Sequence, residues 1–377
     1  MASALKTAIF GIISVAIAIV GTLVTAELLL RFLPYNEGLR AQEVAARQPV
    51  FRFASNRTST YSDGWNFNLV NRVRVNNDGF VNDRDYDAAA KSPLLAIVGD
   101  SYIEAVMVPY RETVQGRLAS ALEGRGRVYS FAASGAGLSQ YLIWARHARD
   151  TYRPALFLFN IIPNDFAESL HKLEHSPGFW RFEARSDGGA DWRLTEYRPS
   201  LLRRVMRNSA LAMYLTQNVR AHTALRLNFQ NLGADDRRWV GNIEATTPEA
   251  RLADFRWAVD RFLEHLPAYS GVPAERIMLS FDGFRPQIYG GPEELHFAMR
   301  STWATMRSEM MNKATALGMT VIDLDPLQRE RFARDRQRFE FPTDSHWNGR
   351  GHEILADAVR ASTPFRAVFA SAEGPAQ

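Results

Sequence analysis

Leu94-Leu95-Ala96-Ile97-Val98-Gly99-Asp100-Ser101 reads as an apolar strand that stops on a short polar tripeptide. Five apolar residues in a row, with no alternation, fit a strand covered on both faces, as in a parallel sheet. A serine at the C-terminal end of such a strand stands in the crevice where open α/β sheets hold their ligands. That is a workable place for a nucleophile, provided a base and an oxyanion site reach it.

Outward from this strand the chain alternates strand and helix. Val114, Leu118 and Leu122 form one helical stripe, closed by Gly124. Val128-Tyr129-Ser130-Phe131 is a second strand, and Ala155 to Ile162 a third. An amphipathic helix carries Leu252, Phe255, Val259, Phe262 and Leu266. Strands at 277–281 and 321–324 follow, separated by a helix with Phe297, Trp303, Met306, Met310 and Leu317. A last helix holds Ile354, Leu355, Ala358 and Val359. Alternation of this kind predicts a three-layer α/β/α sandwich around a parallel sheet of about five strands, flavodoxin-like in plan. Residues 167–247 break the rhythm and read as an insertion, with a helix expected over Ser200–Ala221. Its Arg203, Arg204 and Arg207 read as a solvated face, with anionic glycan or lipid headgroups as the other option. Residues 33–92 read as an extended lead-in with a short hairpin, turning at Asp78-Gly79, and the tail after Pro364 is weakly patterned.

Serine is a poor nucleophile near neutral pH until a base takes its proton. Histidine suits that task, with an acceptor behind it to fix the tautomer. Asp344 and His346 lie two apart, so an extended loop would point both side chains to one side. Negative charge building on an acyl carbonyl oxygen needs fixed donors. Candidates are the Ser101 N–H, the N–H of Gly135 just past the second strand, and the side-chain amide of Asn164 just past the third. Asp165, with Glu168 three later, reads as a helix N-cap. The pair His171 and His175 reads as a surface pair, and His352 as the start of the final helix.

Together these blocks resemble the SGNH (GDSL-type) hydrolase family. The first block stands as Gly99-Asp100-Ser101-Tyr102, the second as the glycine of Ala133-Ser134-Gly135-Ala136-Gly137, the third as Pro163-Asn164-Asp165 and the fifth as Asp344-Ser345-His346-Trp347-Asn348. The family commonly spaces its acid and base Asp-x-x-His, whereas here one residue intervenes, and Pro163 stands where a glycine is common. The resemblance implies a catalytic set of Ser101, Asp344 and His346, and an oxyanion hole from Ser101, Gly135 and Asn164.

The 377 residues carry a formal charge of +4 and no Lys/Arg-rich run, which disfavours nucleic acid as a partner. Cysteine is absent, so disulfides, zinc fingers and cysteine nucleophiles are excluded. No Gly-x-Ser-x-Gly elbow, dinucleotide fingerprint or P-loop is present, and no cofactor or metal is expected. Ala8 to Ala26 is almost wholly apolar, roughly 28 Å of helix at about 1.5 Å per residue. That approaches the ~30 Å hydrocarbon core of a bilayer and exceeds a signal-peptide core of about 7–15 residues. An uncleaved single-pass anchor is expected, with Lys6 on the cytoplasmic side and the rest outside the inner membrane.

The expected plan is an anchor at 1–32, the lead-in at 33–92, a hydrolase domain at 93–363 and a tail at 364–377. The expected activity is a serine esterase acting on an acyl, above all O-acetyl, ester of an envelope or secreted glycan. Two alternatives stay open: an O-acyltransferase using the same residues beside a membrane acyl-donor protein, and a non-catalytic glycan-binding or assembly protein with a decayed site.

Overall fold

The computed structural model describes residues 2–185, 187–220 and 238–369. The chain divides into two compact units. One comprises Met1–Arg40, Thr58–Arg72 and Pro199–Asp235, the other Ala41–Arg57, Val73–Arg198 and Asp236–Gln377. Of the insertion expected at 167–247, residues Pro199–Asp235 therefore group with the N-terminal helix and the rest with the sheet.

In the first unit a single helix, Ala2–Leu30, has apolar side chains over most of its length and almost no cover. Its Leu5–Leu30 stretch is long and apolar enough to cross a membrane, with a mean hydropathy of 2.5. A two-stranded sheet of β1 (Arg57–Asp63) and β2 (Leu69–Val75) lies largely in this unit. The hairpin thus turns at residues 64–68, earlier than expected. Asp78-Gly79 makes a smaller turn between the bridged Val75 and Val81. There the Asn76 side-chain oxygen accepts from the N–H groups of Asp78 and Phe80 at 3.0 Å each, and Gly79 takes the left-handed φ of 86° that favours glycine. The helix expected over Ser200–Ala221 is broken into Leu201–Met206, Ala210–Met213 and a π-helical turn, Tyr214–Asn218; Ala221 lies outside the described residues. Ser209 interrupts it because its hydroxyl accepts from the Ala212 N–H at 3.1 Å, capping a new helix.

The second unit is built on β3 (Leu94–Gly99), β4 (Arg127–Ala132), β5 (Leu156–Ile161), the short pairs β6 (Trp180–Ala184) with β7 (Ala190–Leu194) and β8 (Trp239–Val240) with β9 (Ile243–Glu244), and then β10 (Ile277–Phe281) and β11 (Thr320–Asp323). The central sheet runs β11-β10-β5-β3-β4, all parallel. Counted by sequence within the sheet, this is the doubly wound order 2-1-3-4-5. The chain leaves β3 toward β4 and returns on its other side to β5, so the crevice opens at the C-terminal end of β3. All six residues of β3 and of β5 are buried.

Alternation along β3 sends its side chains to two cores. Leu95 and Ile97 join Val114, Leu118, Leu122, Trp347, Leu355 and Val359 on one face. On the other, Phe80, Tyr86, Tyr129, Phe131, Trp144 and Tyr152 form a chain of ring contacts. Burying each large apolar side chain contributes about 1.5–3 kcal/mol, so the sheet's position is over-determined. The helix expected from Phe297 to Leu317 is two, Pro292–Ala298 and Thr302–Ala316, because the Ser301 hydroxyl caps the second through the Ala304 N–H. Trp303, Met306 and Met310 are buried as expected, whereas Leu317 is exposed. A helix at Leu324–Asp335 was not foreseen. The weakly patterned tail begins as a helix, Thr363–Phe369, with Phe365 and Phe369 packed into the first core.

Candidate active site

The end of β3 is shaped by backbone needs before chemistry. A Cβ on Gly99 would collide with the Ile103 side chain, so glycine lets the next turn close over the strand end. Asp100 caps that turn, its Oδ1 accepting from the Tyr102 N–H at 2.9 Å. Ser101 is thereby the first residue of a one-turn helix, Ser101–Glu104, with its hydroxyl toward the crevice.

Three of the five site residues read from the sequence come together. His346 Nε2 lies 2.8 Å from Ser101 Oγ, and His346 Nδ1 lies 2.5 Å from Asp344 Oδ1. The route to this contact differs from the pleated loop expected. Asp344 Oδ1 also accepts from the backbone N–H of His346 at 3.0 Å, and the Asp344 carbonyl accepts from the Phe341 N–H at 3.0 Å. The segment is an Asx turn, and the turn aims the carboxylate at the imidazole even though a single residue separates the two.

Burial works to lower the His346 pKa, but its hydrogen bond to Asp344 and the charges of Asp344 and Asp100 outweigh it. The imidazole is held above its ordinary value. Burial pushes the Asp100 carboxyl up to about 6, against the hydrogen bonds it accepts from Tyr102 and Ser101. Its Oδ2 is 2.9 Å from Ser101 Oγ, so the hydroxyl has two neighbours able to take its proton.

Gly135 and Asn164 stand past the C-terminal ends of the two strands that flank β3. Gly135 follows the end of β4 by three residues and has φ 85°, a left-handed conformation. Its loop is tethered by the buried Glu104, whose Oε2 accepts from the Ser134 N–H at 3.0 Å and from the Ser134 hydroxyl. Burial pushes Glu104 up to about 7 despite those two bonds. Asn164 follows β5 by three residues; its Oδ1 accepts from Asn242 Nδ2, and its side chain also bonds Glu168. Asp165 is not the helix cap expected. That position belongs to Asn164, while Asp165 is buried and accepts from the Tyr141 hydroxyl at 2.8 Å and the Ile162 N–H at 2.9 Å. His352 lies in the first turns of the helix Gly349–Ala361, which begins three residues earlier than expected and is followed by Thr363–Phe369; its Nδ1 accepts from the Val114 N–H at 3.3 Å. His171 and His175 meet edge to face with ring centroids 4.9 Å apart, and no cluster suited to a metal occurs among the described residues.

Sequence reading missed the polar frame behind His346. Asp282, just past β10, accepts from Arg285 Nη2 at 2.6 Å, Gln328 Nε2 at 2.9 Å and Trp347 Nε1 at 3.1 Å. The buried Arg285 also donates to Glu340 Oε2 at 3.0 Å and to the Ser345 carbonyl at 3.3 Å, inside the Asp-x-His turn itself. Tyr289 completes it by donating to Glu340 at 2.7 Å. One signal was available: an aspartate directly after an apolar strand, at the same sheet edge as Ser101. A cavity of about 260 Å³ opens beside this frame, lined by Tyr102, Arg285, Arg338, Glu340, Phe341 and Asp344. A larger one, about 520 Å³, sits near the opposite ends of the strands, by Pro93, Ala155 and Thr320, away from these groups.

No family model matches this sequence. No curated protein matches it either. Solved structures do. A lipase/acylhydrolase from Enterococcus faecalis is 13% identical, with 76% of this chain and 99% of that one covered and a TM-score of 0.37. A member of the lipolytic protein G-D-S-L family from Veillonella parvula is 10% identical, covering 72% and 98%, with a TM-score of 0.35. An acetyl xylan esterase from Butyrivibrio proteoclasticus is 11% identical, covering 75% and 66%, with a TM-score of 0.33.

Proposed function

We propose that this chain is an SGNH-type serine ester hydrolase, tethered by its N-terminal helix to the inner membrane with the catalytic unit on the periplasmic side. The observation that carries the chemistry is the unbroken line of hydrogen-bond contacts from Ser101 Oγ through both ring nitrogens of His346 to Asp344. Neutral His346 takes the Ser101 proton as Oγ attacks the acyl carbon. The oxyanion is met by the N–H groups of Ser101 and Gly135 and by the Asn164 amide, which has two hydrogens, enough for both Glu168 and the substrate. His346 then returns the proton to the departing alcohol, and water repeats the cycle on the acyl-serine. The substrate we assign is an O-acetyl or other short acyl ester of an envelope or secreted glycan.

A fluorophosphonate probe tests the site directly. Wild type is expected to be labelled and Ser101→Ala and His346→Ala not, with turnover of a simple acetyl ester falling about 10⁴-fold or more in each. Labelling that survives Ser101→Ala overturns the assignment. Supplying an acyl donor with deacetylated glycan separates release of free acetate from acetylation of the sugar, which would make the protein the acyltransferase instead.

A further inference from the structure

In the first unit the short helix Leu201–Met206 has no buried residue. Leu201, Leu202 and Val205 are 77%, 69% and 68% exposed and lie at i, i+1 and i+4, with Met206 extending the stripe. Arg203, Arg204 and the following Arg207 occupy the opposite face. An amphipathic helix facing water with both sides is costly, since its apolar stripe stays hydrated. Its place in the unit is set by the N-terminal helix. Glu27, in the last turn of that helix, accepts from the Ser209 hydroxyl at 2.8 Å and from the N–H groups of Ala210 and Leu211 at 3.1 and 2.9 Å. Arg31 bonds Glu27 at 3.0 Å and donates to the Asn208 carbonyl at 3.2 Å. Leu202 thus lies seven residues before Ser209, a point locked to the end of the apolar span. Phe32 and Leu33, just beyond that span, are exposed as well.

We propose that Leu201–Met206 lies in the membrane–water interface, its leucines and Val205 at the acyl boundary and its arginines toward anionic lipid phosphates. The inference rests on reading Leu5–Leu30 as a membrane span. Two observations select a bilayer as the occupant: the segment that follows the stripe is tied to the end of a helix of bilayer length, and the opposite face is basic, the pattern of helices that lie in the headgroup layer at depths of about 5–10 Å. The two units then have distinct tasks, one seating the protein on the membrane and the other carrying the esterase site.

The natural absence of cysteine makes the test clean. Full-length protein carrying Leu202→Cys, Ile17→Cys or Glu330→Cys is nitroxide-labelled and placed in nanodiscs of zwitterionic or phosphatidylglycerol-rich lipid. Collision with oxygen and with a water-soluble nickel chelate is then read by EPR. The label at 202 is expected to favour oxygen and to lose nickel broadening relative to 330, though less than at 17. Adding Arg203→Gln, Arg204→Gln and Arg207→Gln is expected to return the 202 label toward water. Nickel access at 202 equal to that at 330 overturns the proposal. So does shielding from both relaxants, which means that protein, whether a partner, a second copy or another segment, covers the stripe. Nickel access at 17 would instead overturn the membrane span itself, and a 202 failure with 17 immersed leaves the span and the esterase reading standing.

Discussion

The two ends of the proposed relay are held in place by opposite means. Ser101 hangs from β3, a strand buried at all six positions whose side chains enter two apolar cores. His346 hangs from a turn with a single buried large side chain, Trp347, and its frame is made of charges from two stretches of chain 55 residues apart, Asp282 with Arg285 on one and Glu340 on the other. Apolar burial is non-directional, so the serine end tolerates change as long as volume is kept. Buried charges are directional and unforgiving, because removing one partner leaves the other uncompensated. The histidine end is therefore where geometry, and with it activity, is most easily lost.

Breaking the frame by charge sharpens this contrast most at the acid. In Asp344→Asn the imidazole loses the acceptor that fixes its tautomer, and kcat is expected to fall about 10²–10⁴-fold. Because Asp344 holds the His346 pKa up, the acid limb of the kcat/KM–pH profile should also move to lower pH. In wild type that limb should lie above the ordinary histidine value of about 6.5, since only neutral imidazole accepts the serine proton. A limb that stays in place in the asparagine variant would break the Asp344–His346 pairing. Arg285→Met comes next. It leaves Asp282 and Glu340 without their cation and is expected to cost about 3–5 kcal/mol, read as a lower melting temperature of the full chain. A conservative cavity at the serine end, Ile97→Val, should cost only about 0.5–1.5 kcal/mol and leave turnover near wild type. Equal losses in both would erase the distinction drawn between the two ends.

Glu104→Gln tests the serine end by the opposite sign, a gain in stability rather than a loss. The folded protein holds this carboxyl up to about 7, whereas the unfolded chain ionises it near 4.5. Below about 4.5 both states are protonated and nothing is lost. As pH rises through 7 the folded state gives up stability relative to the unfolded one. Glutamine escapes that loss, so the variant should gain on wild type between pH 5 and 8, by an amount on the order of 1–3 kcal/mol. No change in the difference across that range would remove Glu104 as the buried tether of the Gly135 loop.

Much of this was readable in one dimension. β3, β4, β5, β10 and β11 were all anticipated to within a residue or two, because a strand buried on both faces writes itself as a contiguous apolar run. Ser101, Asp344 and His346 could be singled out as candidates by residue type and order along the chain, and the fold brings the three within hydrogen-bond distance. Where helices stop was less legible: Ser209 and Ser301 end two predicted helices through single hydroxyl-to-backbone bonds, which compete with helix continuation by only about 1 kcal/mol.

Folding decided what no local pattern could contain. Asp282, Arg285, Glu340 and Trp347 look unrelated in the sequence, and they become one frame only when two loops meet at the same edge of the sheet. Asn164 holds its place through Asn242, 78 residues away. The Asp-x-His spacing closes because a side chain captures a backbone N–H two residues on. Apolar pattern and residue chemistry are properties of the chain itself, and the sequence by itself determined them. Partners for buried charge are a property of proximity, which exists only once the sheet has brought the loops together.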